Sequence, residues 1–245
     1  MKGATEESTE QSTDAAERLE LTADALTLAR GDLVLCRQMS FRVRGGEVLI
    51  VTGPNGSGKS TLLRALLGLI PREGGTVAFT TSEGEDRVPF PLVEHAHYCG
   101  HADAMKPDLT VRENLRFWAR LMGGSNAQAE GPGSDADDRI VEAAGPLDLL
   151  PLLDLPVSFL SAGQRRRAAL ARLWTAPRPV WLLDEPTASL DARSSATVRD
   201  MIEAHCEEGG LAVVATHLDL GLEGQTLRMG DVANPETSTR GHDTP

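Results

Sequence analysis

What this 245-residue sequence has little of narrows the field first. It has three cysteines, Cys36, Cys99 and Cys206, and no two of them form a C-x-x-C pair. That spacing implies neither a disulfide framework nor a zinc ribbon, and it fits a reducing compartment. Positive charge is short. The 24 Lys and Arg stand against 36 Asp and Glu, giving a formal charge of −12. An acidic surface is repelled by phosphate backbones, which disfavours sequence-independent nucleic-acid binding. Long apolar runs are scarce as well. The longest, Leu62 to Ile70, is broken by Arg64 and falls short of the roughly 20 residues that cross a bilayer. The amino terminus is polar and acidic, unlike a signal peptide. A role at a membrane is therefore expected to come through partner chains. Aromatics are only 4% of the residues, yet an apolar fraction of 40% suffices for a sizeable core. The length suits one α/β domain with inserted subdomains, or two small domains.

Residues 1–18 are rich in Glu, Ser, Thr and Gln and are expected to form a disordered acidic tail; residues 231–245 read the same way. Residues 19–230 show no internal repeat and read as a single unit. Three segments look like strands covered on both faces, as in a parallel sheet: Val48–Thr52, Val180–Asp184 and Leu211–His217. Each has polar chemistry at its carboxyl end, the edge where open α/β sheets place ligands. Lys59 to Leu69 reads as a helix stopped near Gly68 and Pro71, and residues 191–208 as another, ended by Gly209 and Gly210. Residues 21–50 and 74–81 alternate like a small antiparallel sheet. Residues 108–155 are helix-like around a polar loop at 123–138, so an inserted helical subdomain is expected over about 102–160.

Between the first strand and the first helix lie Gly53, Pro54, Asn55, Gly56, Ser57, Gly58, Lys59 and Ser60, fitting G-x-x-x-x-G-K-[ST] in its required strand–helix setting. Glycines let backbone N–H groups wrap phosphates without Cβ clashes, and the following helix points its N-terminus at the anion. Lys59 is placed to neutralise the β- and γ-phosphates of ATP, Ser60 to ligate Mg²⁺, and Thr61 to contact a phosphate. The bland alternative, a Gly-rich turn that binds nothing, does not account for the full context. A second strand ends in Asp184 and Glu185. Asp184 suits a Mg²⁺ contact through water, and Glu185 suits orienting or deprotonating an attacking water. Alone, the pair could equally be two solvated acids capping a strand; with the cradle, it reads as chemistry.

Ser161, Ala162, Gly163 and Gln164 follow Leu160 and precede a helical run from Arg165 to Trp174. This resembles the LSGGQ signature of ATP-binding cassette (ABC) proteins, with Ala162 in place of the first glycine. The resemblance covers about residues 21–230. It implies a P-loop NTPase (RecA-like) α/β fold: a parallel core, a small antiparallel β subdomain and an inserted helical subdomain. It also implies that the turn acts in trans. A helix N-terminus, the Ser161 hydroxyl and the Gly163 backbone would meet the γ-phosphate held by a second copy, so that ATP joins a homodimer. Ser189, Leu190 and Asp191 resemble the D-loop that crosses the dimer interface. His217 resembles the switch histidine that senses the γ-phosphate. Arg165, Arg166 and Arg167 read as a solvated helix face, ahead of a contact to a membrane partner.

The pattern departs from the family in two places. His101 stands where the family places a Gln whose oxygen meets Mg²⁺. A neutral imidazole is a poorer ligand for that hard ion. His101 then binds Mg²⁺ through water or acts on the coupling interface. Arg30 stands where the family's adenine-stacking aromatic is expected; a guanidinium can stack on a base, with less selectivity. His95, His97, Cys99 and His101 alternate and on a strand would share one face, which raises transition-metal or haem-iron contact. A core strand leading into the coupling loop is the preferred reading.

The stretch His101 to Thr110, then Glu113 to Leu115 with Phe117 and Trp118, together with Leu160–Arg167, resembles the haem-exporter ATPases of cytochrome c biogenesis. That likeness implies a peripheral subunit on the cytoplasmic face of the bacterial inner membrane, paired with integral membrane subunits. Its ATP turnover would serve haem export or release of the haem chaperone. The chain ends soon after His217, which disfavours importer ATPases with long regulatory domains. Alternatives are another exporter ATPase, such as one for lipoprotein release, or a soluble ABC protein of DNA repair or translation. A small-molecule kinase with the same cradle is disfavoured by the signature.

Overall fold

Apolar residues that run without alternation need cover on both faces, and the structure supplies it. The computed structural model describes residues 19–82, 87–89, 91–122 and 135–230; the expected tails at 1–18 and 231–245, and most of the polar loop at 123–138, lie outside the described residues. The chain forms strands β1 (Leu19–Arg30), β2 (Leu33–Arg44) and β3 (Val48–Thr52), helix α1 (Lys59–Leu66), strands β4 (Gly74–Ser82) and β5 (Arg87–Pro89), a single turn α2 (Leu92–His95) and strand β6 (Ala96–Cys99). Then come helices α3 (Val111–Met122), α4 (Asp135–Ala144) and α5 (Ala162–Thr175), strand β7 (Val180–Asp184), helix α6 (Ala192–Glu207), and strands β8 (Leu211–Ala215) and β9 (Gln225–Arg228). Short 3₁₀ turns at Leu150–Leu152 and Val157–Phe159 join α4 to α5.

A five-stranded sheet has the order β6-β7-β8-β3-β9, and all its pairings are parallel. Every residue of β7 and β8 is buried. Alternate side chains serve two different cores. Val180, Leu182, Val213 and Ala215 pack with Leu62 and Leu63 of α1 and with Leu21 and Leu28 of β1. Trp181, Leu183, Ala212 and Val214 pack with Val198 and Ile202 of α6 and with Leu170 of α5. The second sheet is antiparallel, order β2-β1-β4-β5, and covers the α1 side. The ABC-type mixed α/β architecture expected from the sequence is therefore present.

Details differ from expectation. Helix α1 ends at Leu66, earlier than Leu69, because Gly68 turns into the left-handed region (φ 71°), where the Gly68 and Leu69 N–H groups close on the Ala65 and Arg64 carbonyls. The third strand stops at Ala215, leaving His217 beyond its end. Strand β9 was not expected; its residues are mostly exposed at a sheet edge, so no apolar run announces it. Within 102–160, α3 opens on a reciprocal cap between Thr110 and Glu113. The buried Asn114 donates to the Lys106, Leu109 and Thr110 carbonyls, pinning the loop before the helix. Asp137 of α4 accepts from Arg112 and Arg116 of α3.

Candidate functional site

Parallel strands deliver their carboxyl ends to one edge, and here four of them deliver chemistry. The cradle follows β3, His101 follows β6, Asp184 and Glu185 end β7, and His217 follows β8. They meet in one open cleft of about 510 Å³ lined by Asn55, Gly56, Gly58, Lys59, Ser60 and Thr61 on one side and by Asp184, Glu185, His101 and His217 on the other. That volume lies within the range of ligand pockets. Arg30, Leu33 and Leu35 also line it; sequence reasoning singled out Arg30 and missed the two leucines.

The cradle is shaped by backbone constraints. Gly53, Gly56 and Gly58 have φ of 140°, 81° and 102°. A Cβ on Gly53 would also collide with the Met229 carbonyl, so both conformation and space require glycine there. Gly58 immediately precedes α1, whose first N–H groups open toward the cleft. Lys59 is buried and donates to the Gly53 and Pro54 carbonyls at 2.8 and 3.3 Å; its Nζ lies 3.6 Å from Glu185 Oε1. Ser57 Oγ is buried with no hydrogen-bond partner among the described residues.

The acid pair sits at the strand end with two different environments. Asp184 is 2% exposed, and its Oδ2 has no hydrogen-bond partner among the described residues. A buried carboxylate oxygen without a donor is costly on its own, and with the Ser60 hydroxyl on the same cleft it suits a hard divalent cation. Glu185 has a left-handed backbone (φ 49°), rare for a residue with a side chain. Its N–H donates to the Ala215 carbonyl at 2.8 Å. Its Oε2 lies 2.9 Å from His217 Nδ1 and 3.4 Å from the His217 backbone N–H.

The signature turn is placed elsewhere. Ser161, Ala162, Gly163 and Gln164 stand outside the cleft at the amino end of α5, with Ser161 and Ala162 exposed. Ser161 Oγ accepts from the Gln164 N–H, and Gln164 Oε1 accepts from the Ser161 N–H. A Cβ on Gly163 would come within 2.8 Å of the Ser189 carbonyl, so the turn lies against the segment that leads to Asp191. Asp191 caps α6, accepting from the Ser194 N–H at 2.7 Å. The Ser194 N–H and hydroxyl hold its carboxyl below the usual range.

The arginine run is not a solvated face. Arg166 is 4% exposed and bonds carbonyls at the acid pair and near His101, while Arg167 donates to the Leu147 carbonyl and Arg165 to the Leu160 carbonyl. A signal was present: Arg166, Leu170 and Leu173 follow i, i+4, i+7 spacing, which puts the arginine on the apolar side of α5. The alternating cluster is dispersed. His95 lies in α2 with its ring near Phe79, and His101 lies beyond β6 in the cleft. His97 is buried against the Ala176 carbonyl, and burial pushes its pKa down to about 4. Cys99 is fully buried with Arg172 Nη2 3.1 Å from its sulfur. Among the described residues no group of three or more His, Cys, Asp or Glu side chains is placed to hold a metal ion. A core strand leading to the cleft accounts for the segment.

Comparison with known proteins agrees with this geometry. The ABC transporter family profile matches residues 36–188. The cytochrome c biogenesis ATP-binding export protein CcmA of Rhizobium meliloti is 46% identical over 84% of this chain and 95% of its own length. The protein of the same name from Agrobacterium fabrum is 46% identical over 89% and 99%. Among solved structures, a Pyrococcus furiosus protein described as a putative ABC transporter ATP-binding protein superposes with a TM-score of 0.71 at 21% identity, covering 85% of this chain and 96% of that one. A dimeric ATP-binding cassette in a post-hydrolysis state, bound to ADP and Pi, gives 0.71 at 22% identity, covering 86% and 94%. These two likenesses concern the fold alone. With the cradle, the acid pair and the signature turn in place, and with relatives this similar along most of the sequence, the chain belongs to the ABC transporter family of ATP-hydrolysing subunits, among the cytochrome c biogenesis ATP-binding export proteins.

Proposed function

We propose that this chain is the ATPase subunit of an ABC exporter that moves haem for cytochrome c maturation, working as an ATP-dependent homodimer bound to integral membrane subunits on the cytoplasmic face of the bacterial inner membrane. The observation that carries the hydrolytic part is the convergence of Lys59, Ser60, Asp184, Glu185 and His217 in one cleft, with Ser161–Gln164 outside it. The haem and cytochrome part is supported by the names of the similar proteins and by the stretch around His101. No helix among the described residues is long and apolar enough to cross a membrane, so the reading assigns membrane attachment to partner subunits.

In this mechanism the N–H groups of residues 53–61 wrap the phosphates, and Lys59 neutralises the β- and γ-oxygens. Ser60 and Asp184, the latter through water, would hold Mg²⁺, with His101 at the edge of that set. Bound Mg²⁺ supplies positive charge against the oxygens of the transferring phosphoryl group. Glu185 orients a water for attack on the γ-phosphorus and takes its proton as the bond to the ADP oxygen breaks. His217, already beside Glu185, keeps that carboxylate aimed and meets the γ-phosphate. The Ser161 hydroxyl and Gly163 backbone of a second copy close the site, with Asp191 at the same interface. For Glu185→Gln, ATP binding is expected to persist while turnover falls roughly a hundredfold or more; undiminished hydrolysis removes Glu185 from this role. Purification of the full chain from membranes, with the accompanying chains identified, tests the partners. Recovery without integral membrane subunits contradicts that part.

A further inference from the structure

Arg166 is the most fully engaged side chain near the site. A guanidinium carries five N–H donors in a fixed plane, and here each has an acceptor. Nε donates to the Pro186 carbonyl at 3.1 Å. Nη2 donates to the Asp184 and Glu185 carbonyls, both at 2.9 Å. Nη1 donates to the Gly100 carbonyl at 2.7 Å and to Asp103 Oδ1 at 3.4 Å. The group is 4% exposed, so these bonds replace water rather than compete with it.

The acceptors belong to two separate segments. Asp184, Glu185 and Pro186 are consecutive and include the residue whose backbone is left-handed at φ 49°. Gly100 and Asp103 flank the segment that presents His101. The donor itself sits in the second turn of α5, whose first turn is the signature. A left-handed glutamate persists only where its surroundings over-determine it. The Glu185 carbonyl accepts from Arg166 and also from the Ala188 N–H at 3.1 Å, while its own N–H is fixed to Ala215. Removing the guanidinium leaves the Asp184, Pro186 and Gly100 carbonyls short of a donor in a buried place and frees Glu185 to relax.

We propose that Arg166 is a positioning residue for ATP hydrolysis: it locks the Glu185 main chain in the conformation that aims the carboxylate into the cleft, and it binds that acid rigidly to the signature helix and to the His101 segment. The proposal rests on the role of Glu185 given above. No shorter set of donors does the same work. Lysine offers three N–H groups from one point, and glutamine offers two.

The test uses the full chain with Arg166→Gln and Arg166→Lys, measuring steady-state kcat and KM, nucleotide affinity by equilibrium titration, and thermal melting. For both variants kcat is expected to fall roughly tenfold or more with KM and nucleotide affinity within about twofold of the parent, because the cradle is untouched. Lysine is expected not to rescue turnover although it keeps a cation in place. Should Arg166→Gln unfold the domain, Arg166→Lys still reads the dependence on the number of donors. In the Glu185→Gln background, adding Arg166→Gln is expected to lower the residual single-turnover rate by no more than about twofold, since the route through the acid is already cut. Parental kcat in Arg166→Gln or Arg166→Lys overturns the proposal. So does a loss of affinity equal to the loss of kcat, or a full further loss in the double variant. Parental turnover in Glu185→Gln alone refutes the earlier role of the acid, a separate outcome.

Discussion

The two half-sites of this chain are built in opposite ways. The cradle half-site is concave and largely pre-paired: Lys59 is buried, Glu185 is held between it and His217, and Asp184 is 2% exposed. The signature turn lies outside the cleft with Ser161 and Ala162 exposed, and the Ser161 and Gln164 side chains are engaged in a reciprocal cap. The first can hold a ligand by itself. The second has a helix N-terminus and a hydroxyl that lie outside the cleft, so in the proposed mechanism it meets a phosphate held by another copy. In the proposed dimer that difference separates variants expected to abolish binding from those expected to abolish only turnover.

The contrast can be broken most severely at Lys59. Lys59→Ala is expected to weaken ATP binding by roughly a hundredfold or more, since a buried ammonium and its phosphate contacts are lost together. Equilibrium titration with nucleotide checks this; parental affinity refutes the cradle assignment. The signature side is expected to behave differently. Gly163→Ala places a Cβ 2.8 Å from the Ser189 carbonyl, a backbone atom that cannot step aside freely. Turnover is expected to drop roughly tenfold while nucleotide affinity of the isolated chain stays within about twofold. Steady-state kinetics beside titration reads both, and a matching loss of affinity would erase the distinction between the halves.

A smaller effect concerns the tie between them. His97 on β6, behind the cleft, meets the Ala176 carbonyl at the end of the signature helix. Burial lowers the pKa of His97 to about 4, and burial does the same to His205, which stacks on Trp181. The unfolded chain takes up these protons near pH 6.5, the folded chain only near pH 4. Their contribution to stability is therefore complete above about pH 6.5 and is lost as pH falls toward 4, at up to about 1.4 kcal/mol per pH unit for each histidine. Urea unfolding at pH 7.5, 6.5, 5.5 and 5.0 is expected to show the decline, and His97→Gln to flatten it. A pH-independent midpoint across that window contradicts the assignment. The smallest change is expected for His101→Gln, which is exposed at the cleft edge. Substantial ATPase activity is expected to remain, and complete loss would mean that the imidazole has a specific chemical task.

How much of this was legible beforehand follows the same division between local and long-range causes. The cradle is nine consecutive residues whose glycines, lysine and hydroxyls act on one ligand, so spacing alone reveals it. Strands β3, β7 and β8 are equally visible, because cover on both faces leaves a continuous apolar run. Strand β9 was hidden: an exposed edge strand needs only backbone pairing with β3, which writes no side-chain pattern. Arg166 was misread because its partners lie 18 to 66 positions away in sequence and, apart from Asp103, are main-chain carbonyls, which every residue type carries. The His95–His101 alternation suggested a single face. The turn at Leu92–His95 and the short reach of β6 instead send the four side chains to different places.

The central claim is that one copy's cleft and another copy's signature turn meet on the same nucleotide. Cross-linking tests it most directly. In the Glu185→Gln background, one preparation carries Asn55→Cys and another Ser161→Cys, both at exposed positions, and the two are mixed. The native Cys36, Cys99 and Cys206 are all buried, so they leave the background low. With ATP, a disulfide-linked heterodimer joining residue 55 of one copy to residue 161 of the other is expected, and without nucleotide little or none. Absence of that species with ATP bound, or its equal formation without nucleotide, would contradict the account.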